Sequence, residues 1–353
     1  MYDYIDIMKE ILKVKRGDGS YSEVAIGDVI DTLDNYLPKV KKIIVITDEN
    51  VYKYYNTFID KYEKIVIGLG EKNKSLKTLD YIYGELLRMG ADRGSYIVGF
   101  GGGIVTDIAG FAASTYMRGL GFGFVATTLL AQVDASVGGK NGVNFEGFKN
   151  MIGVFNQPDF VLCDISVLSS LPEREFRSGL AEVIKSGLIL DKGLFELFEH
   201  NSYDDFRNNK ELLFEAVTRA VAVKKTIVEI DERETGDRKK LNLGHTFAHA
   251  IEKCSREFVH GEAVGIGMRI IADVSLNEGL ITSAQRDSIS KVLDNAGLPV
   301  ESGIPMPQLM EALKNDKKKE SDSVSLILMK GIGECVIRKY KFDEINGIIK
   351  NAD

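Results

Sequence analysis

The sequence predicts an α/β N-terminal domain followed by a mostly α-helical C-terminal domain. Short, nearly continuous apolar runs alternate with helical spacing through the first half. That alternation is what parallel strands covered by helices require. Beyond LSSLPERE (168–175) nearly every periodic segment has helical spacing. A chain of 353 residues is also long for one hydrophobic core, so two domains are expected, 1–168 and 169–353.

The candidate strands are EVAIG (23–27), IIVIT (43–47), KIVIG (64–68), YIVGF (96–100), FGFVA (122–126) and DFVLC (159–163). Between the third and fourth, SLKTLDYIYGELLRMG (75–90) has helical spacing, and Gly90 supplies a C-terminal stop. GFGGGIVTDIAGF (99–111) reads as a strand, a tight turn and the opening of a helix. Adjacent glycines let backbone N–H groups approach a phosphate, and the helix N-terminus favours an anion. The spacing is not GxGxxG, and close packing, at Gly110 for example, explains the glycines as well. Asp107 is placed in the first helical turn, where it offsets the dipole or bonds a ribose or nicotinamide group. TTLLAQVDASVGGKNGVNFEGFKNMIG (127–153) reads as a Gly-rich loop in which Lys140 and Lys149 suit a phosphate or carboxylate. Two solvated surface lysines are the ordinary alternative.

Helices are predicted over 174–190, 192–200, 207–230, 244–256, 261–278, 284–296 and 307–316. Two short strands follow within 323–340, around Gly331 and Gly333, and KNDKKKE (314–320) reads as a solvated turn.

Composition bounds the function. Hydrophobic residues are 44% and charged residues 27%, ordinary globular values. A net charge of −7 argues against a nucleic-acid or anionic-membrane partner. Cys163, Cys254 and Cys335 are scattered and form no CxxC, so free thiols in a reducing compartment are expected. With no signal-like N-terminus and no apolar run of about 20 residues, the expected location is the cytoplasm.

Three of the four histidines, His245, His249 and His260, lie in LNLGHTFAHAIE (241–252) and HGEAVGIGM (260–268). Imidazole is the commonest transition-metal ligand and the commonest general base near neutral pH. His245 and His249 share one helix face. A catalytic zinc site takes about three protein ligands; His245 and His260 offer two, and Glu182, an acid within the apolar SGLAEVIKSGLIL (178–190), is a candidate third. For Glu182 taken alone, an i,i+3 ion pair with Lys185 is the favoured explanation. His249 need not ligate and is free to relay a proton. Arg238 and Asn242 are natural carboxylate or hydroxyl partners, and Lys224 has a surface position as its default.

Together these segments resemble the 3-dehydroquinate synthase family. GGGIVTDIAGFAASTYMRG, TTLLAQVDASVGGKNGVN, KNMIGVFNQP, LPEREFRSGLAEVIKSGLI, DERETGDRKKLNLGHTFAHAIE and HGEAVGIGM occur in order over 101–268. The resemblance implies an N-terminal Rossmann-like NAD domain, a helical metal- and substrate-binding domain, a homodimer, and NAD with Zn2+ or Co2+. It carries the metal ligands onto Glu182, His245 and His260. NAD contacts fall on Asp48, Asn50, Glu71 and Lys74, on Gly102, Gly103 and Asp107, on Thr127 and Thr128, and on Lys140 and Lys149. Substrate contacts fall on Asp134, Lys140, Lys149 and Asn150 in the first domain. In the second they fall on Lys185, Lys224, Arg238, Asn242 and His249. Arg118 is expected to reach the neighbouring subunit's substrate, and Lys317 or Lys318 to close over the phosphate. The implied reaction converts 3-deoxy-D-arabino-heptulosonate 7-phosphate to 3-dehydroquinate and phosphate. It proceeds by transient oxidation with NAD, phosphate elimination, reduction, ring opening and aldol closure, within the shikimate pathway.

Phe148 stands where the family commonly has Gly, Asn141 where Thr is usual, and Ser170 where Thr is common. Three rivals remain. A related sugar-phosphate cyclase would not need Arg238 and Lys224 for a carboxylate; a polyol dehydrogenase would release NADH; a non-catalytic sensor would bind NAD without releasing phosphate.

Overall fold

The computed structural model describes residues 8–317, 323–342, 344, 345 and 348, with the backbone alone at 315–317. The chain forms two compact units, Met1–Leu171 and Pro172–Asp353.

The first unit is built on a seven-stranded sheet. Its strands are β1 (Lys9–Lys15), β2 (Tyr21–Gly27), β3 (Ile43–Asp48), β4 (Glu63–Ile67), β5 (Tyr96–Gly101), β6 (Gly121–Ala126) and, after the hairpin strands β7 (Lys140–Phe145) and β8 (Phe148–Phe155), β9 (Phe160–Asp164). The order is β1-β2-β9-β6-β5-β3-β4. Only the β1–β2 pair is antiparallel. Runs such as Ile44–Val45–Ile46 and Ile97–Val98 have no exposed surface, because both faces of a parallel sheet are covered. The covering helices are α1 (Leu33–Tyr36), α2 (Glu49–Ile59), α3 (Leu76–Arg88) and α4 (Gly103–Thr115). Helix α3 starts where the Ser75 hydroxyl accepts the Thr78 N–H and ends before Gly90, at φ 64°.

The β3–β4 step moves outward to one edge, whereas β5, β6 and β9 proceed from β3 the other way. The reversal therefore lies between β3 and β5. In open α/β sheets, ligands bind at the carboxyl ends of the strands flanking such a point.

The second unit holds α5 (Glu173–Ile189), α6 (Lys192–His200), α7 (Tyr203–Asn208), α8 (Lys210–Ile230), α9 (His245–Cys254), α10 (His260–Asn277), α11 (Ser283–Asn295) and α12 (Met306–Lys317). The antiparallel hairpin β10 (Ser323–Gly331) and β11 (Glu334–Lys341) follows. Helix α5 is buried from Ser178 to Ile189. Helix α10 packs against α5 and α9 through glycines. A Cβ on Gly261 would lie 2.1 Å from the Ser178 carbonyl oxygen, and one on Gly267 would lie 2.1 Å from that of Gly244. No larger residue permits these approaches.

The six expected strands and the isolated helix before Gly90 are all present. Several expectations need correction. The Gly-rich stretch 127–153 is not a loop: it contains a π-helical turn at Ala131–Ala135 and the β7–β8 hairpin. The hairpin turn is Glu146–Gly147, at φ 50° and 80°, the two left-handed positions of a type I′ turn. The segment 207–230 is two helices, because the Asn209 side chain caps α8 by accepting the Leu212 N–H at 3.0 Å. Within 314–320, residues through Lys317 continue α12, and the remainder lies outside the described residues. Strand β1 was not expected at all. Cys163, Cys254 and Cys335 are free thiols. Among the described residues, no helix is long and apolar enough to cross a membrane.

Candidate active site

The second unit concentrates its chemistry around Glu182. Burial of α5 leaves this carboxylate 1% exposed, beside the 2% exposed Lys185 with which it pairs. The ion pair is therefore present, and the Glu182 Oε1 also faces His245 Nε2 at 3.6 Å and His260 Nε2 at 3.5 Å. The glycine contacts explain the convergence: Gly261 seats the start of α10 at Ser178, one turn before Glu182, and Gly244 seats the start of α9 against α10.

Each imidazole is oriented from behind. His245 Nδ1 lies 3.1 Å from the Leu243 carbonyl oxygen. A carbonyl only accepts, so Nδ1 carries the proton and Nε2 of the neutral ring keeps its lone pair. His260 Nδ1 lies 3.2 Å from Glu252 Oε1, a carboxylate acceptor that likewise keeps a proton on Nδ1. Burial, helped by the charge of Lys185, lowers the His245 pKa to about 3. Burial also acts to lower that of His260, but the carboxylates of Glu182 and Glu252 outweigh it and raise the value to about 9.

The donor atoms of Glu182, His245 and His260 all lie within 4.8 Å of one another. Two ligands of a tetrahedral zinc, each at about 2.0–2.2 Å, stand about 3.4 Å apart. The 3.5 and 3.6 Å separations at Glu182 fit that edge, and one carboxylate with two imidazoles is a donor set suited to Zn2+ or Co2+. His249 lies outside this group. It is exposed, with its ring centroid 5.9 Å from that of His245.

Buried cations adjoin this helix layer. Arg238 is 1% exposed, and Lys224, expected at the surface, is buried at 7%. Arg238 donates to the Glu232 carbonyl. Its own N–H, with those of Thr235 and Gly236, donates to the Asp231 carboxylate. These bonds outweigh the burial that would raise the Asp231 pKa, and bring it to about 2. Asn242 donates to Glu234 Oε1 at 2.7 Å, and Glu234 has the left-handed φ of 60°. Sequence inspection passed over Asp231, Glu234 and Glu252. The signals were the acids of DERE (231–234), four to seven residues ahead of Arg238, and the position of Glu252 seven residues beyond His245, on the same helical face.

In the first unit the candidate residues gather at the carboxyl ends of β3, β4, β5 and β6. Asp48 caps α2 by accepting the Val51 N–H at 2.9 Å, and burial raises its pKa. Asn50 lies in the first turn of α2 and is exposed. Gly102 is the N-cap of α4, Gly103 its first residue, and no side chain caps that end. Thr127 is buried, and the Thr128 hydroxyl accepts the Ala131 N–H at 3.1 Å. Asp107 lies beyond the first turn of α4 and pairs with Lys74, which corrects the expectation of a dipole-facing acid. Burial raises its pKa, against the pull of Lys74.

A polar chain runs from this rim into the hairpin. Lys74 Nζ donates to Asn150 Oδ1 at 2.6 Å, Asn150 N to Asn144 Oδ1 at 2.9 Å, and Asn144 Nδ2 to Glu71 Oε1 at 2.7 Å. Asn144 is a further residue that sequence inspection missed. Lys140 and Lys149 are exposed on the hairpin, and Asp134 is half-buried in the π-helical turn. Asn141 is buried, donating to the Gly139 and Asn156 carbonyls. Arg118 is exposed on a turn where Met117 and Arg118 have φ of 50° and 72°, a strained geometry for non-glycine residues. The Lys317 side chain and Lys318 fall outside the described residues. The rim follows the strand-order reversal, which makes it a fitting place for a dinucleotide.

A doubly covered parallel sheet and a helical unit with a three-donor cluster define the dehydroquinate synthase-like fold. It is shared with 2-deoxy-scyllo-inosose synthase, crystallised with carbaglucose-6-phosphate, NAD+ and Co2+. That match has a TM-score of 0.86 at 24% identity, covering 97% of this chain and 100% of that one. It is shared too with 2-epi-5-epi-valiolone synthase of Streptomyces hygroscopicus, with NAD+ and Zn2+ bound, at a TM-score of 0.84 and 26% identity over 94% and 96% of the two chains. In sequence, the N-terminal 3-dehydroquinate synthase family matches residues 64–178 and the C-terminal one residues 179–319. The 3-dehydroquinate synthase of Pelobacter propionicus is 40% identical over 93% of this chain and 95% of its own. The chain belongs to the 3-dehydroquinate synthase family.

Proposed function

We propose that this chain converts 3-deoxy-D-arabino-heptulosonate 7-phosphate to 3-dehydroquinate and inorganic phosphate, as a carbon–oxygen lyase of the shikimate pathway. The observation that carries the reading is the convergence of Glu182, His245 and His260 in a chain of this family. Glu182, His245 and His260 would hold Zn2+ or Co2+, and the first-unit rim from Asp48 to Thr128 would hold NAD. When bound, the two cofactors supply acidification of a substrate hydroxyl and reversible hydride exchange.

The chain's own residues bind and orient. Lys140, Lys149 and Asn150, with Asp134 beside them, serve the phosphate end, where Lys149 and Lys140 supply charge and Asn150 direction. Arg238 and Lys224 serve the carboxylate. Both are buried, so they act in a low-dielectric setting where a charge-assisted contact is strong. Asn242, aligned by Glu234, suits a sugar hydroxyl. Lys185 holds the Glu182 carboxylate in place. His249, exposed beside His245, is placed to take and return a proton. Holding one flexible molecule through successive reactive shapes supplies much of the catalysis.

The proposal extends to a homodimer in which Arg118 and a late lysine, Lys317 or Lys318, complete the phosphate site, and to the cytoplasm, where the three free thiols persist. The test is phosphate release from 3-deoxy-D-arabino-heptulosonate 7-phosphate with and without NAD+ and a chelator. Release that needs both cofactors, without NADH accumulating, supports the reading. Steady NADH production would favour a polyol dehydrogenase, and NAD+ binding without phosphate release a sensor.

A further inference from the structure

We infer that Glu252 is a positioning residue for the metal: its carboxylate fixes the ring orientation and tautomer of His260, so that Nε2 is presented to the cation. The inference rests on the proposed role of Glu182, His245 and His260 as ligands.

Helix α9 carries His245 at its first residue and Glu252 two turns later on the same face. The Glu252 side chain is 10% exposed, and its Oε1 stands 3.2 Å from His260 Nδ1. On the far side of that ring, Nε2 faces Glu182 at 3.5 Å. The ring is thus held between two carboxylates, and only one of them, Glu182, belongs to the donor cluster. His245 is held the same way with a different partner, its Nδ1 bonded to the Leu243 carbonyl at 3.1 Å.

The two supports differ in kind. The Leu243 carbonyl is fixed by the backbone immediately ahead of α9. His260 opens α10 and is 31% exposed at its side chain, with less packing to restrain it. An anionic acceptor behind an imidazole fixes the ring and makes its other nitrogen a better donor. The more exposed of the two histidines therefore receives the charged support. One helix then supplies both a candidate ligand, His245, and the orienting group for the other.

The experiment is Zn2+ affinity by chelator competition on the full chain, without NAD+ or substrate, for wild type, Glu252→Gln, Glu252→Ala and His260→Ala. Thermal midpoints of the metal-stripped proteins are measured alongside. Wild type is expected to bind one Zn2+ per chain, and Glu252→Ala to bind the same number about 10- to 100-fold more weakly. Glu252→Gln, which keeps a neutral acceptor and nearly the same shape, should fall between them, with a metal-free midpoint matching wild type. Glu252→Gln and Glu252→Ala both within twofold of wild type would overturn the inference while leaving the ligand assignment standing. Complete loss of Zn2+ in Glu252→Gln, with its fold intact, would also overturn it, because Glu252 would then be a ligand itself. No binding by wild type, or unchanged binding in His260→Ala, would remove the ligand assignment and the inference with it.

Discussion

The two units carry their chemical side chains in opposite ways. In the helical unit Glu182, Lys185, Lys224 and Arg238 are buried and locked into packed helices or a tight turn. In the sheet unit Lys140, Lys149 and Asn150 stand exposed on a hairpin, and Lys74 with Asp107 is the more enclosed pair. Buried charges need partners to be tolerated at all, so the helical site is part of what holds its unit together. Exposed lysines cost almost nothing when no anion is present. Substitutions in the two places should therefore separate stability from activity.

The largest effect is expected at Glu182→Ala. It removes the carboxylate paired with buried Lys185 and deletes a candidate ligand, so denaturant unfolding should show a loss of about 3–5 kcal/mol, together with loss of bound zinc. Wild-type stability in that variant would break the contrast. Gly261→Ala comes next. Its methyl group would press into the Ser178 backbone, at a cost of about 1–3 kcal/mol, and would displace His260 from Glu182. Zinc affinity should fall along with the melting temperature.

Lys149→Ala should leave unfolding within about 0.5 kcal/mol of wild type. Turnover at low substrate should fall roughly 10- to 100-fold, as a lost charge-assisted contact does. A phosphate-bearing inhibitor should weaken more than its dephosphorylated form, and equal weakening would contradict the phosphate assignment. The smallest effect concerns Asp231. Its folded pKa, about 2, lies below the ordinary aspartate value of 3.8. The stability it contributes is thus present above about pH 4 and disappears as pH falls towards 2. Asp231→Asn should flatten the acid limb of a stability–pH curve in that window, and an unchanged limb would mean the 231–238 turn is held by other bonds.

The sequence made the strands legible because β-branched runs such as IIVIT and YIVGF have no polar face to conceal. Ser75 and Gly90 marked α3 for the same kind of reason, one capping and one permitting a left-handed stop. The β7–β8 hairpin escaped because its glycines and asparagines resemble a loop in composition; the Glu146–Gly147 turn between Phe145 and Phe148 was the signal that distinguished it. Strand β1, an edge strand with charges at Lys9, Glu10, Lys13 and Lys15, lacked an apolar run. At the site, residue types and spacing made His245 and His260 candidates and left Glu182 open between ligand and ion pair; the family resemblance carried the ligand set onto all three. The side chains that hydrogen-bond these groups, Glu252, Glu234, Asp231 and Asn144, were harder to read, because a carboxylate or amide behind another side chain looks like any surface polar group until its partner is known, and their spacing from His245 and Arg238 is only a weak signal. Lys224 misled for the same reason: a lysine on a helix reads as exposed unless the neighbouring helices are seen.

Zinc-edge anomalous diffraction from crystals of the zinc-loaded protein tests the central claim most directly. A single strong peak should lie about 2.0–2.2 Å from a Glu182 carboxylate oxygen and from the Nε2 atoms of His245 and His260. A zinc peak held by other residues, with these three side chains turned away from it, would contradict it.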